Sequence, residues 1–80
     1  MRQPIRGYFR MMHRGLAYDV AYTRAERQDA LHGLQGKRIL SLSVTEGSRV
    51  VMHYENRSWR QQPQTVEERE LMQRIVDRVN

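Results

Sequence analysis

Leu40, Leu42 and Val44 alternate with Ser41, Ser43 and Thr45, and beyond Glu46-Gly47-Ser48 the chain continues Val50, Val51, Met52, His53, Tyr54. Apolar residues at every second position mark a strand with one buried face. Residues 38–54 therefore read as a hairpin around which the other segments must pack. Gly47 supplies the positive φ that a short hairpin turn requires. The alternation directs Leu40, Leu42 and Val44 inward, with Val50, Met52 and Tyr54 beside them.

A second alternation runs through Leu16, Tyr18, Val20 and Tyr22, preceded by His13-Arg14-Gly15, a turn with Gly15 left-handed. Before that turn Arg2, Arg6, Arg10 and Arg14 recur every fourth residue, and helix and strand fit them almost equally. A helix stacks the arginines in a stripe opposite Ile5, Tyr8, Phe9 and Met12, with Pro4 suited to its first turn. A strand puts Arg6, Tyr8, Arg10 and Met12 on one face and Ile5, Gly7, Phe9 and Met11 on the other. Gly7 weakens a helix, and the extended segment that follows favours the strand.

Thr23-Arg24-Ala25-Glu26 and Thr65-Val66-Glu67-Glu68 both match a capping box, a hydroxyl followed three residues later by glutamate. The first predicts a helix over residues 24–32, stopped by Gly33 and Gly36 and buried through Ala30, Leu31 and Leu34. The second predicts a helix to about residue 79 with the apolar stripe Leu71, Met72, Ile75, Val76 and Val79. Gln61-Gln62-Pro63-Gln64 links it to the preceding segment.

The order hairpin–helix–hairpin–helix predicts an α+β two-layer fold in a single domain, residues 1–80. An antiparallel sheet of four to five strands carries two helices on one face, the fifth strand depending on whether residues 55–60 extend the sheet. The expected core is Phe9, Val20, Leu31, Leu34, Leu40, Leu42, Val44, Met52, Tyr54, Leu71, Ile75, Val76 and Val79. The uncovered face then carries arginine and tyrosine.

Eighty residues enclose only a small core, which a second copy of the chain could complete, so a homodimer is one expected partner. The absence of cysteine excludes disulfide staples and thiolate metal sites. Three scattered histidines and no carboxylate-rich loop give no metal-ligand spacing, and no phosphate-cradling glycine loop or nucleophile elbow is present. No stretch approaches the ~20 apolar residues of a membrane span, and the N-terminus lacks the apolar run of a signal peptide. The expectation is a cytoplasmic protein with no cofactor, no metal, no membrane partner and no small-molecule substrate.

The net charge of +5 narrows the choice of partner. Only Lys37 among the 14 basic residues is a lysine, and arginine pairs carboxylates and phosphates bidentately and stacks on flat rings. The excess lies at the N-terminal end: residues 1–18 hold four arginines and no acid, whereas residues 61–80 hold three arginines against four acids. Strand pleating would gather Arg6, Tyr8, Arg10 and Arg14 into one exposed basic patch, suited to phosphates with a ring for stacking or to an acidic protein surface. Arg57, Trp59 and Arg60 form a second candidate contact, in which Trp59 is either an interface anchor or a lid on the core. His53 and Glu55, two residues apart on one strand face, could work as an acid/base pair on a phosphodiester with Arg49 or Arg57 stabilising charge.

These features favour a non-enzymatic binding or regulatory module, docking on nucleic acid or on an acidic protein or ribonucleoprotein surface. A narrower alternative is a small inhibitor of the kind mobile elements make against host defence or transcription machinery, anti-CRISPR proteins included, acting by steric blocking. A small ribonuclease-type toxin using His53 and Glu55 is the catalytic alternative.

Overall fold

The computed structural model describes residues 4–26, 33–36 and 38–79. Five strands, β1 (Ile5–His13), β2 (Leu16–Arg24), β3 (Ile39–Glu46), β4 (Arg49–Glu55) and β5 (Ser58–Gln61), form one sheet, and α1 (Val66–Val79) follows. The spatial order β1-β2-β3-β4-β5 equals the sequence order and every neighbouring pair is antiparallel. The N-terminal segment thus settles as strand over Ile5–His13, and Ser58–Gln61 supplies the fifth.

Three of the four connections in this meander are two-residue turns, and residues 25–38 join β2 to β3. Arg14-Gly15 (φ 50° and 80°) and Asn56-Arg57 (φ 51° and 61°) are left-handed at both central positions, while Gly47 (φ 61°) alone is so in the third. These are the turns whose twist matches that of paired strands. Arg57 holds a conformation that a side chain disfavours, and Asn56 ahead of it is among the few residues that tolerate it.

Among the described residues one helix covers one face. Thr65 caps α1: its Oγ1 accepts from the Glu68 N–H at 3.1 Å, and Glu68 Oε1 accepts from the Gln64 N–H at 2.6 Å. Leu71, Ile75, Val76 and Val79 point into the sheet, where they meet Met11, Tyr18, Val20, Leu42, Val44, Met52 and Tyr54. The 3-10 turn Leu34–Gly36 adds buried Leu34 to this layer.

The expected helix over residues 24–32 does not begin where its capping box placed it. Arg24 ends β2, and Thr23 pairs with Ser41 across the sheet, Oγ1 to Oγ 2.6 Å, so its hydroxyl is engaged with a neighbouring strand. Residues 27–32 of that prediction, Leu31 included, lie outside the described residues. Of the two helices expected, α1 is the one described.

Two irregularities move the core off strict alternation. Thr23 pairs with Ser41 but Arg24 with Ile39, leaving Leu40 without a partner. Ile39 therefore takes the fully buried place expected of Leu40, which is half-buried. Likewise Val44 pairs with Met52 but Thr45 with Val50, and the intervening Val51 turns inward while Val50 is exposed. An extra residue in one strand resets the side-chain parity beyond it, which a period of two cannot anticipate. Phe9 is half-buried against the core, and Met11 and Tyr18 are buried additions to the expected set.

Candidate functional site

Among the described residues no helix or strand covers the face opposite α1. Residues of even number on β1 project there, so Arg6, Tyr8, Arg10 and Met12 line its outer strand, with Ala21, Thr23, Ser41, Ser43 and Thr45 as a floor of small side chains on β2 and β3. Tyr8, Arg10 and Asp19 form a bonded group on this face. The Tyr8 hydroxyl donates to Asp19 Oδ1 at 2.8 Å, and Arg10 Nε donates to the same oxygen at 2.9 Å. Asp19 is the register partner of Arg10, which puts the carboxylate within reach of both side chains. The Arg10 hydrogen bond, then that of Tyr8, holds the Asp19 carboxyl below its ordinary range, and the bond to Asp19 raises the Tyr8 hydroxyl. Both effects keep Asp19 ionised and Tyr8 protonated near neutrality. Tyr8 remains 67% exposed and the Arg10 side chain 68%. The pair is ordered without being hidden.

Beside this group lies a shallow concavity of about 260 Å³ lined by Arg6, Thr23, Ser41, Ser43, His53 and Glu55, among others. His53 Nε2 stands 3.8 Å from Glu55 Oε2, and Arg60 Nε lies 3.5 Å from Glu55 Oε1. Arg6 enters from the other wall, three strand spacings from β4, roughly 14 Å between backbones. This convergence was hidden in the sequence because it joins residues of four strands. The alternation did place Ser41 and Ser43 outward, but only the strand order brings Arg6 to the same hollow as His53. Arg49 and Arg57, the cations expected beside His53, are not among its lining. Arg49 bonds Glu46 at 2.7 Å and approaches Glu68 of α1 at 3.7 Å, while Arg57 sits in the β4–β5 turn.

The seven residues expected to bind do not form one patch. Arg6, Tyr8 and Arg10 share the open face. Arg14 leaves it, because the turn swings its guanidinium to α1, where Nη2 bonds Glu70 Oε2 at 2.7 Å. Trp59 points to the covered face and packs edge-to-face on Tyr54, centroids 5.2 Å apart, so it closes the core. Arg57 and Arg60 belong to the far edge, four strands from β1.

Much of the arginine is spent inside the molecule. Arg10, Arg14, Arg49 and Arg60 pair with carboxylates, and Arg78 lies 4.0 Å above the Phe9 ring. Arg74 donates to the Met12 carbonyl at 3.1 Å and contacts His13 Nδ1 at 2.8 Å. A guanidinium only donates, so that nitrogen accepts and the His13 proton sits on Nε2. That atom faces Glu70 at 3.7 Å, too far for a hydrogen bond.

Comparison with models of known families, with curated proteins and with solved structures finds no match for this chain. Among the described residues no helix is long and apolar enough to cross a membrane.

Proposed function

We propose that the protein is a non-enzymatic binding module that docks through the open face of its sheet on an acidic surface of a protein partner. The observation that carries this reading is the Tyr8–Asp19–Arg10 group. Tyrosine and arginine supply a large share of interface energy when already ordered in the free protein, and here one carboxylate holds both in place while leaving them exposed. Arg6, with no ion-pair partner among the described residues, adds unneutralised positive charge beside them. A phosphate backbone would call for several free guanidinium groups in a row, and four described arginines are already matched to internal acids. Such a module acts by occupying a site, as steric inhibitors of host machinery do.

The test places a photo-crosslinking residue at position 8 and, for comparison, at position 69 on α1. Expected is one partner protein captured from position 8 and not from 69, with capture reduced at least tenfold by Arg10→Ala. Fluorescence anisotropy with single-stranded and duplex oligonucleotides is expected to show only weak binding, in the ~10⁻⁴–10⁻⁶ M range of non-specific association. Tight binding that falls steeply with salt would replace the protein partner by nucleic acid.

A second reading rests on the hollow itself. His53, Glu55 and Arg6 are an acid/base pair and a cation around one concavity, the set a phosphodiester cleavage would use. RNA cleavage abolished by His53→Ala would support it, and an inert wild type would remove it.

A further inference from the structure

From the geometry of β1 we infer that the protein pairs with a second copy of itself, edge to edge, through antiparallel β1 strands. Among the described strands β1 has a neighbour on one side only. Its nine residues pair with β2 without a register shift, and neither proline nor lysine interrupts them. The opposite edge is β5, only four residues long, with a shifted register and Pro63 soon after. Short, irregular edges resist strand addition, whereas long regular ones invite it. Ile5, Tyr8 and Met12, three of the exposed large apolar side chains, also lie on β1.

The hydrogen-bond phase of the edge follows from the turn. In a two-residue hairpin the closing pair, here His13 and Leu16, exchanges both backbone bonds. Odd-numbered residues of β1 therefore turn their backbone groups to β2. Arg6, Tyr8, Arg10 and Met12 present theirs outward. Arg74 of α1 already donates to the Met12 carbonyl on that outward side, so this side chain must withdraw before Met12 pairs with a second copy.

Side chains select the register. With Phe9 opposite Phe9 of the second copy, Tyr8 stands opposite Arg10 and Arg6 opposite Met12. Each Tyr8 ring then meets a guanidinium, and no like charges oppose. Sliding by two residues in either direction sets Arg6 against Arg10, or Arg10 against its own counterpart and Arg6 against Arg14, pairings that destabilise a sheet. The register free of repulsion is also the one that engages every residue of β1. It joins two five-stranded sheets into one of ten and keeps both open faces on the same side. Each copy carries +5, so salt should tighten this dimer, the opposite of its effect on docking to an acidic partner. The inference stands independently of the proposed function, because it needs no partner protein.

Sedimentation equilibrium tests it, with amide hydrogen exchange read residue by residue. Expected is a mass of twice the 9.6 kDa chain at high micromolar concentration, dissociating on dilution. Amides of Arg6, Tyr8, Arg10 and Met12 should be at least tenfold slower to exchange in the dimer than in the dilute monomer. Tyr8→Pro removes an outward N–H, no backbone bond to β2 and only the exposed side-chain bond to Asp19, so it should give a folded monomer by circular dichroism. If that variant unfolds, the exchange data on the wild type still decide. A chain that stays monomeric at high concentration, or a dimer whose even-numbered β1 amides remain fast, overturns the inference.

Discussion

The ring of Tyr22 fills the space over Gly7, its register partner, where a side chain at position 7 would stand. The same ring meets Phe9 edge-on at 6.1 Å, so glycine lets a tyrosine close the end of the covered face. Replacing a strand glycine by alanine ordinarily helps stability by restricting the unfolded chain. Here the added methyl collides with an aromatic ring, and Gly7→Ala should cost about 1–3 kcal/mol. Urea denaturation reads the cost, and shortening the ring in Gly7→Ala/Tyr22→Leu should restore part of it. A neutral or stabilising Gly7→Ala would mean that the ring moves freely.

The two Thr-x-x-Glu segments make a matched comparison. Thr65 caps a helix through its hydroxyl, and Thr65→Ala should lower stability by about 1 kcal/mol. Thr23 shares a hydroxyl contact with Ser41 instead, so Thr23→Val should cost less than Thr65→Ala. Thermal melts of the two variants check the order.

Arg14 and Arg74 differ in what they leave behind when removed. Arg14 makes an exposed ion pair with Glu70, worth about 0–1 kcal/mol. Arg74 satisfies the ring nitrogen of a buried histidine, His13, and a backbone carbonyl. Losing a partner strands both groups at roughly 1–3 kcal/mol. Arg74→Met should therefore lower the urea midpoint more than Arg14→Met does.

Acid should weaken the fold through Asp19. Its carboxyl is more acidic folded than unfolded, so its contribution is present above the unfolded value and is lost as pH falls through the lower folded value. Tyr8 runs the other way: its raised value makes its share complete below the ordinary 10.0 and lost as pH climbs past the folded value. Stability measured between about pH 2 and 6 should decline more shallowly in Asp19→Asn than in the wild type. Equal slopes would show that Arg10 and Tyr8 do not hold that carboxylate in solution.

Most of the sheet was legible because period-two patterning and turn residues act locally. Leu42, Val44 and Met52 are buried where alternation put them, and Gly15 and Gly47 are left-handed as their turns required. Leu40 was misplaced because the extra residue that displaces it shows only against the partner strand. Thr23 misled for a related reason: a hydroxyl that suits a helix cap suits a cross-strand neighbour equally, and Ser41 lies 18 residues further along the chain. The site was less legible than the fold. Arg6 and Tyr8 were readable from strand parity, but the fate of each arginine depended on acids such as Asp19 and Glu70 brought in by register and by helix placement.

The meander also bears on how the chain reaches its final form. Every strand meets its immediate successor, three times through a two-residue turn and once through residues 25–38, so the sheet can grow by successive local closures. The long return is that of α1, which must travel back to the first turn to let Glu70 meet Arg14, 56 residues away. Until it lands, a row of apolar side chains stays wet. The last event in folding should then be the arrival of a helix on an already assembled sheet.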